Sequence, residues 1–209
     1  MDERDLSTTT RTMEFLNHKW KLWYKSLDVN HDGKISFADV EESRSKFAEL
    51  HKLLGDKASG VKIDMEGWWI KYILQSKDRE ISLEQFLERC GSEYQADKAK
   101  YTAKMTECFN VLFDVIDTNK DRSIELSEYI IAFQAFGHEN ENLVRKSFEL
   151  LNPKDGLIPL KDIVNSWIQF TTSDDPHKKD VVKESFEEGV STALSRTFEV
   201  QLIVRNKCG

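Results

Sequence analysis

Two short runs in this chain place an oxygen-bearing side chain at every second position. In the first, Asp28, Asn30 and Asp32 alternate, Gly33 and Lys34 follow, and Asp39 closes the run. In the second, Asp117, Asn119 and Asp121 alternate, Arg122 and Ser123 follow, and Glu128 closes it. Short carboxylates and amides alternating on a tight turn aim several oxygens at one point. That is the chemistry of a hard divalent cation, which takes about six to eight oxygens in the case of Ca2+. Lys34, at the seventh position, can contribute only its backbone carbonyl, so its ammonium must swing away.

Both runs match the calcium-loop pattern D-x-[DN]-x-[DN]-G-x5-E of the EF-hand, each with one departure. The first ends on Asp39 rather than Glu. Asp is one methylene shorter, so single-oxygen ligation is expected, and fewer ligand oxygens suit the smaller, octahedral Mg2+. The expectation is Ca2+ at both loops, with Mg2+ competing at the first. The second run carries Arg122 where glycine is expected. A side chain in the left-handed backbone region costs about 1–2 kcal/mol, and a cation near the ion adds repulsion. The carboxylates of Asp117, Asp121, Glu125 and Glu128 outweigh both.

These loops need helices on either side, and the apolar periodicity provides them. Leu16, Trp20, Trp23 and Leu27 form one stripe ahead of the first loop, on a helix expected from Met13. A second helical stretch is expected from Phe37 to Leu54, then a loop over Gly55–Lys62, then an amphipathic stretch Met65–Leu74. Phe109, Phe113 and Ile116 precede the second acidic loop, and Tyr129, Phe133 and Phe136 follow it. An isoleucine stands at the eighth position of each loop, Ile35 and Ile124. Setting Ile81 and Ile158 in the same register reveals two further units without ligands. One has Leu74, Ser76, Asp78, Arg79 and Gln85 at positions one, three, five, six and twelve; the other has Leu151, Pro153, Asp155, Gly156 and Asp162. A lone helix–loop–helix leaves its apolar face and strand edge unpaired, so silent units are retained as partners. The expected fold is all-α: four EF-hand units in two pairs, Ile35 bridging Ile81 and Ile124 bridging Ile158. The pairs span residues 13–98 and 99–190, between a frayed 1–12 and an extension 191–209.

Other chemistries are excluded or weak. The net charge is −7, whereas nucleic acid needs a basic surface. Three cysteines, Cys90, Cys108 and Cys208, have no metal or disulfide spacing, so a reduced cytoplasmic setting is expected. No apolar run reaches the length of a membrane span, and a monomer is expected. Gly55–Lys62 superficially resembles a phosphate loop, but Val61 stands where the lysine should be and a helix rather than a strand precedes it. The five tryptophans and 12 phenylalanines fit helix faces of an ordinary core better than a ligand cavity.

The run Leu27–Ser36, the four unevenly spaced units and the aromatic-rich helices resemble the sarcoplasmic calcium-binding protein family. That family includes calexcitin-like proteins and is related to the calcium-triggered photoproteins and luciferin-binding proteins. The resemblance spans roughly residues 13–190. It implies a non-enzymatic buffer of Ca2+ and Mg2+, or a calcium signal carrier. The related proteins imply alternatives: a calcium-gated carrier of an apolar small molecule, or a calexcitin-like nucleotide-binding protein. Photoproteins resemble one another in an active fourth loop, a histidine after it and a terminal proline. Here the fourth loop lacks ligands, Trp167 stands at the histidine, and Gly209 ends the chain, which argues against light emission. Beyond the resemblance, Phe198, Val200, Leu202 and Val204 alternate like a strand. That extension reads either as disordered or as a segment that binds a protein partner.

Overall fold

The computed structural model describes residues 3–190, with side chains from Arg11 to Gly189. Cys208 and the alternating segment Phe198–Val204 lie outside the described residues.

Helix α1 (Glu3–Leu27) leads into the first acidic loop, and α2 (Phe37–Leu50) leaves it. Helix α3 (Gly55–Trp68) runs without a break into a π-helical turn, Trp69–Leu74. Helix α4 (Leu83–Ala96) completes the first pair. The second pair follows as α5 (Lys98–Ile116), β1 (Ser123–Glu125), α6 (Leu126–Ala135), α7 (Glu141–Leu150), β2 (Leu157–Pro159) and α8 (Leu160–Thr172). A short α9 (Val181–Ser185) and a π-turn Phe186–Val190 close the described chain.

The eighth-position isoleucines pair as their spacing predicts. Ile35 and Ile81 exchange backbone hydrogen bonds of 3.0 and 2.9 Å. Strands β1 and β2 are antiparallel with Ile124 opposite Ile158. All four isoleucines are buried, so each ribbon ties two loops together through apolar contact as well as hydrogen bonds.

Three elements differ from the sequence expectation. The first helix begins at Glu3 rather than Met13, since no glycine or proline interrupts the polar run before Met13. Helix α2 stops at Leu50, where His51 caps it and Lys52 turns to φ +53°. Gly55–Lys62 is helical and not a loop: Gly55, at φ +57°, makes the turn and Asp56 lies in the first helical turn, where a carboxylate complements the helix dipole. Gly60 is therefore mid-helix, and no loop exists there to cradle a phosphate.

One hydrophobic core runs through both pairs. Trp23 packs edge-on against Phe86 at 5.2 Å in the first pair and tilted against Phe109 at 5.8 Å in the second, and Phe109 meets Trp167 at 5.3 Å. Each such fully buried side chain contributes about 1.5–3 kcal/mol. Cys90 and Cys108 are buried core residues whose thiols burial pushes up to about 11 and about 12, which makes them poor nucleophiles. Helix α1 is fastened to the end of the second pair. Trp20 donates its indole N–H to the Thr171 carbonyl at 2.9 Å. Lys19 is fully buried and donates to the Ser173 carbonyl at 2.7 Å and to Asp180 at 3.2 Å. Burial pushes the Lys19 ammonium below its ordinary value, and Asp180 opposes that shift.

Candidate metal centres

The two acidic loops fold by the same internal bonding. In the first, Asp28 accepts the N–H of Asp32 at 3.1 Å and of Gly33 at 3.0 Å, Asn30 accepts the Asp32 N–H at 3.0 Å, and Asp32 accepts the Lys34 N–H at 3.1 Å. In the other, Asp117 accepts from Asp121 at 3.2 Å and Arg122 at 3.1 Å, Asn119 from Asp121 at 3.0 Å, and Asp121 from Ser123 at 2.8 Å. Position by position, each donor and acceptor has its counterpart. The turn is made by two left-handed residues in each: His31 and Gly33 at φ +57° and +90°, Lys120 and Arg122 at +61° and +67°.

Arg122 thus adopts the conformation that glycine would take. Space does not forbid it, because a Cβ added at the equivalent Gly33 meets nothing within 4 Å. The guanidinium points outward and donates to Asp114 at 2.6 Å on the exposed surface. Lys34 likewise turns its ammonium out, to Glu80 at 2.6 Å, leaving its backbone at the loop.

The closing carboxylates occupy the third position of the outgoing helices. Asp39 accepts from Val29 at 2.8 Å through one oxygen and from Ser36 at 2.7 Å through the other. Glu128 accepts from the Thr118 N–H and hydroxyl, both at 2.9 Å, through one oxygen and from Glu125 at 3.3 Å through the other. Each therefore staples the second loop residue to the ninth. Glu125 itself turns its carboxylate to the Ser127 hydroxyl at 2.6 Å.

Asp28, Asp39, Asp117 and Glu128 are all buried. Among the described residues none of the four forms an ion pair with Lys or Arg. Burial pushes the Asp28 and Asp39 carboxyls above their ordinary value, only partly offset by the backbone N–H groups they accept. Buried carboxylates without a counter-charge are costly, and a divalent cation fits both that cost and the all-oxygen donor set. Among the described residues no three acidic, histidine or cysteine side chains already converge as a metal-ligating group. Their oxygens face loop N–H groups instead, and Asn30 and Asp32 stand on the exposed rim.

The silent loops keep part of this frame. In the second unit Gln85 accepts the Ser82 N–H at 3.0 Å, the same ninth-to-twelfth staple, but Leu74 replaces the first acid. In the fourth, Pro159 holds the ninth position and has no N–H to offer a twelfth-position acceptor.

Two contributors were not singled out as site residues from sequence. The Thr118 hydroxyl fixes Glu128, and the Tyr24 hydroxyl donates to the carbonyls of Gly33 at 3.0 Å and Ile81 at 2.9 Å, binding loop to ribbon. Tyr24 stands four residues before Asp28, as Phe113 does before Asp117, which is the one sequence signal for it; Thr118 has none.

No family model matches the chain. It is 57% identical over 175 residues to the sarcoplasmic calcium-binding protein of Mizuhopecten yessoensis, covering 83% of this chain and 99% of that protein. In structure it is similar to the coelenterazine-binding protein of Renilla muelleri in a calcium-loaded apo form, with a TM-score of 0.72 at 21% identity over 89% of this chain and 98% of the other. It is also similar to a sarcoplasmic calcium-binding protein from amphioxus, with a TM-score of 0.56 at 21% identity over 82% and 96%. The matched loops, the isoleucine ribbons and the 57% identity over nearly a whole relative together show that this chain belongs to the sarcoplasmic calcium-binding protein family.

Proposed function

We propose that the protein is a cytosolic buffer of divalent cations with two binding loops. Asp28, Asn30, Asp32, the Lys34 carbonyl and Asp39 form the first. Asp117, Asn119, Asp121, Ser123 and Glu128 form the second. The observation that carries this reading is the position-by-position identity of the two hydrogen-bond frames, each closing on a buried carboxylate. Bound Ca2+ supplies the concentrated positive charge that these carboxylates lack. The chain's own residues preorganise the site: backbone N–H groups orient the carboxylates, and the helices starting at Phe37 and Leu126 carry the closing acids. Binding to the folded chain alone raises stability by mass action.

Buffering is favoured over sensing. A sensor opens an apolar, Met-rich groove, whereas this chain has 4 Met and pairs each ion loop with a silent one. The carrier alternative needs room. The apolar pocket among Trp23, Trp68, Phe109, Phe133, Trp167 and Phe186 is about 40 Å3, far below the roughly 300–1,000 Å3 of small-molecule sites. Binding of a hydrophobic dye with and without Ca2+ tests the choice. A buffer shows no calcium-dependent gain, and a large gain would favour sensing or carriage. Millimolar Mg2+ should lower the apparent Ca2+ affinity of the first loop more than that of the other.

A further inference from the structure

We propose that Thr118 is a positioning residue for the ion: its hydroxyl sets the Glu128 carboxylate for ligation and supplies part of that loop's affinity. The proposal deepens the two-loop reading above and rests on it.

Two kinds of bond reach a closing side chain, and they separate the fold from the site. The bond from the ninth residue occurs in an acidic loop and in a silent one, from Ser36 to Asp39 and from Ser82 to Gln85. The bond from the second residue does not. In the silent units that residue is left-handed, Gln75 at φ +70° and Asn152 at +56°. Its N–H turns back into the preceding helix, to the Ile70 carbonyl at 2.8 Å and the Glu149 carbonyl at 2.9 Å. In the acidic loops it faces the closing acid, Val29 reaching Asp39 at 2.8 Å and Thr118 reaching Glu128 at 2.9 Å. The second position is therefore tied to the twelfth only where the loop carries its full set of alternating oxygens.

Thr118 then adds a donor of its own. Of the second-position residues Val29, Gln75, Thr118 and Asn152, it alone has a hydroxyl. Its N–H and O–H both meet one Glu128 oxygen at 2.9 Å, while the Glu125 N–H takes the other at 3.3 Å. Two donors from one residue on one oxygen fix the torsion of the carboxyl group. Glu128 needs that restraint more than Asp39 does, because it has one more rotatable bond and a terminal torsion without sharp preferences. A longer side chain also loses more freedom when it is held. Asp39 is held by backbone instead, one oxygen accepting from Val29 at 2.8 Å and Asn30 at 3.3 Å and the other from Ser36 at 2.7 Å. Thr118 is half-buried and Glu128 buried, so the hydroxyl bond is partly shielded from water, and a donor to a charged carboxylate is stronger than one to a neutral group. Ordering the ligand before the ion arrives removes that cost from binding, and loss of such an outer partner typically weakens metal binding about 10- to 100-fold.

The test uses the full chain with the first loop disabled by Asp28→Asn, so that Ca2+ calorimetry reads the Glu128 loop alone. Thr118→Val keeps the shape of the side chain and removes the donor; it should weaken Ca2+ binding about tenfold. Thr118→Ser keeps the donor and should restore the affinity, which a loss of packing alone would not allow. Thr106→Val is the control: it removes a hydroxyl that meets the Thr102 carbonyl within α5 at 2.8 Å and should leave the affinity unchanged. The unaltered chain in chelator gives a readout that needs no variant. There the Thr118 hydroxyl proton should be visible by NMR, slowed in exchange and correlated with the Glu128 carboxyl carbon. The proposal is overturned by a Thr118→Val chain that binds as tightly as its parent, by a Thr118→Ser chain that loses as much as Thr118→Val, by an equal loss in Thr106→Val, or by absence of the hydroxyl signal. Failure of the two-loop reading looks different: Glu128→Gln would then leave the affinity of the Asp28→Asn chain unchanged.

Discussion

The first acidic loop and its silent partner, residues 74–85, share a ribbon, a flanking tyrosine hydroxyl and a ninth-to-twelfth staple, yet only the acidic loop carries the alternating oxygen side chains. Gln85 does for the silent loop what Asp39 does for the acidic one, accepting a backbone N–H from the loop's ninth residue. The difference is charge. Asp39 is buried without an ion-pair partner among the described residues, whereas Gln85 is exposed and neutral. The staple therefore belongs to the fold, and the buried acid is what the proposed ion site adds to it. A silent loop can lose its acids and still keep its partner in register, because Ile35 and Ile81 hold the ribbon without them.

The same contrast can be broken from the active side. Glu128→Gln turns the closing acid into the neutral amide found at Gln85. It should keep the staple and the fold but cost about 3 kcal/mol of ion binding, near a hundredfold in Kd; calorimetry would show the weaker binding and circular dichroism an unchanged fold. A smaller effect comes from Asp39→Glu, which gives the first loop the longer acid of Glu128. It should raise Ca2+ affinity about tenfold, or about 1.4 kcal/mol, and reduce competition by Mg2+ in a paired titration.

Acid sharpens the comparison in another way. Burial raises the folded values of Asp28 and Asp39. The contribution of each to stability is full below the ordinary carboxylate value and is lost as pH rises through the raised folded value. In chelated protein these two groups therefore favour the folded state in acid and oppose it near neutrality. The rise in Tm that Ca2+ produces should be larger at neutral pH and shrink in acid, as melts with and without chelator would show. The smallest effect is Arg122→Gly, which relieves about 1 kcal/mol of left-handed strain and removes a cation near the loop. A gain of a few fold in Ca2+ affinity is expected at that loop alone.

Much of this was legible in the residues. Acid spacing located both loops, and the isoleucine register located their silent partners, because ligand geometry and strand pairing repeat at fixed offsets. Gly55–Lys62 misled, since two glycines in a polar run look like a loop. The helix they join buries only Met65 and Trp68 and leaves Ile63 exposed, so it shows no apolar stripe. The π-helical turn at Trp69–Leu74 and the Lys19–Asp180 pair depend on contacts between distant segments, which no local pattern announces.

The central claim is that two buried acid frames hold two ions, one each. Native mass spectrometry of calcium-equilibrated protein addresses it directly. Two Ca2+ per wild-type chain, one in Asp28→Asn, one in Glu128→Gln and none in the double variant is the expected series. A wild-type count other than two, or a double variant that still retains calcium, would contradict it.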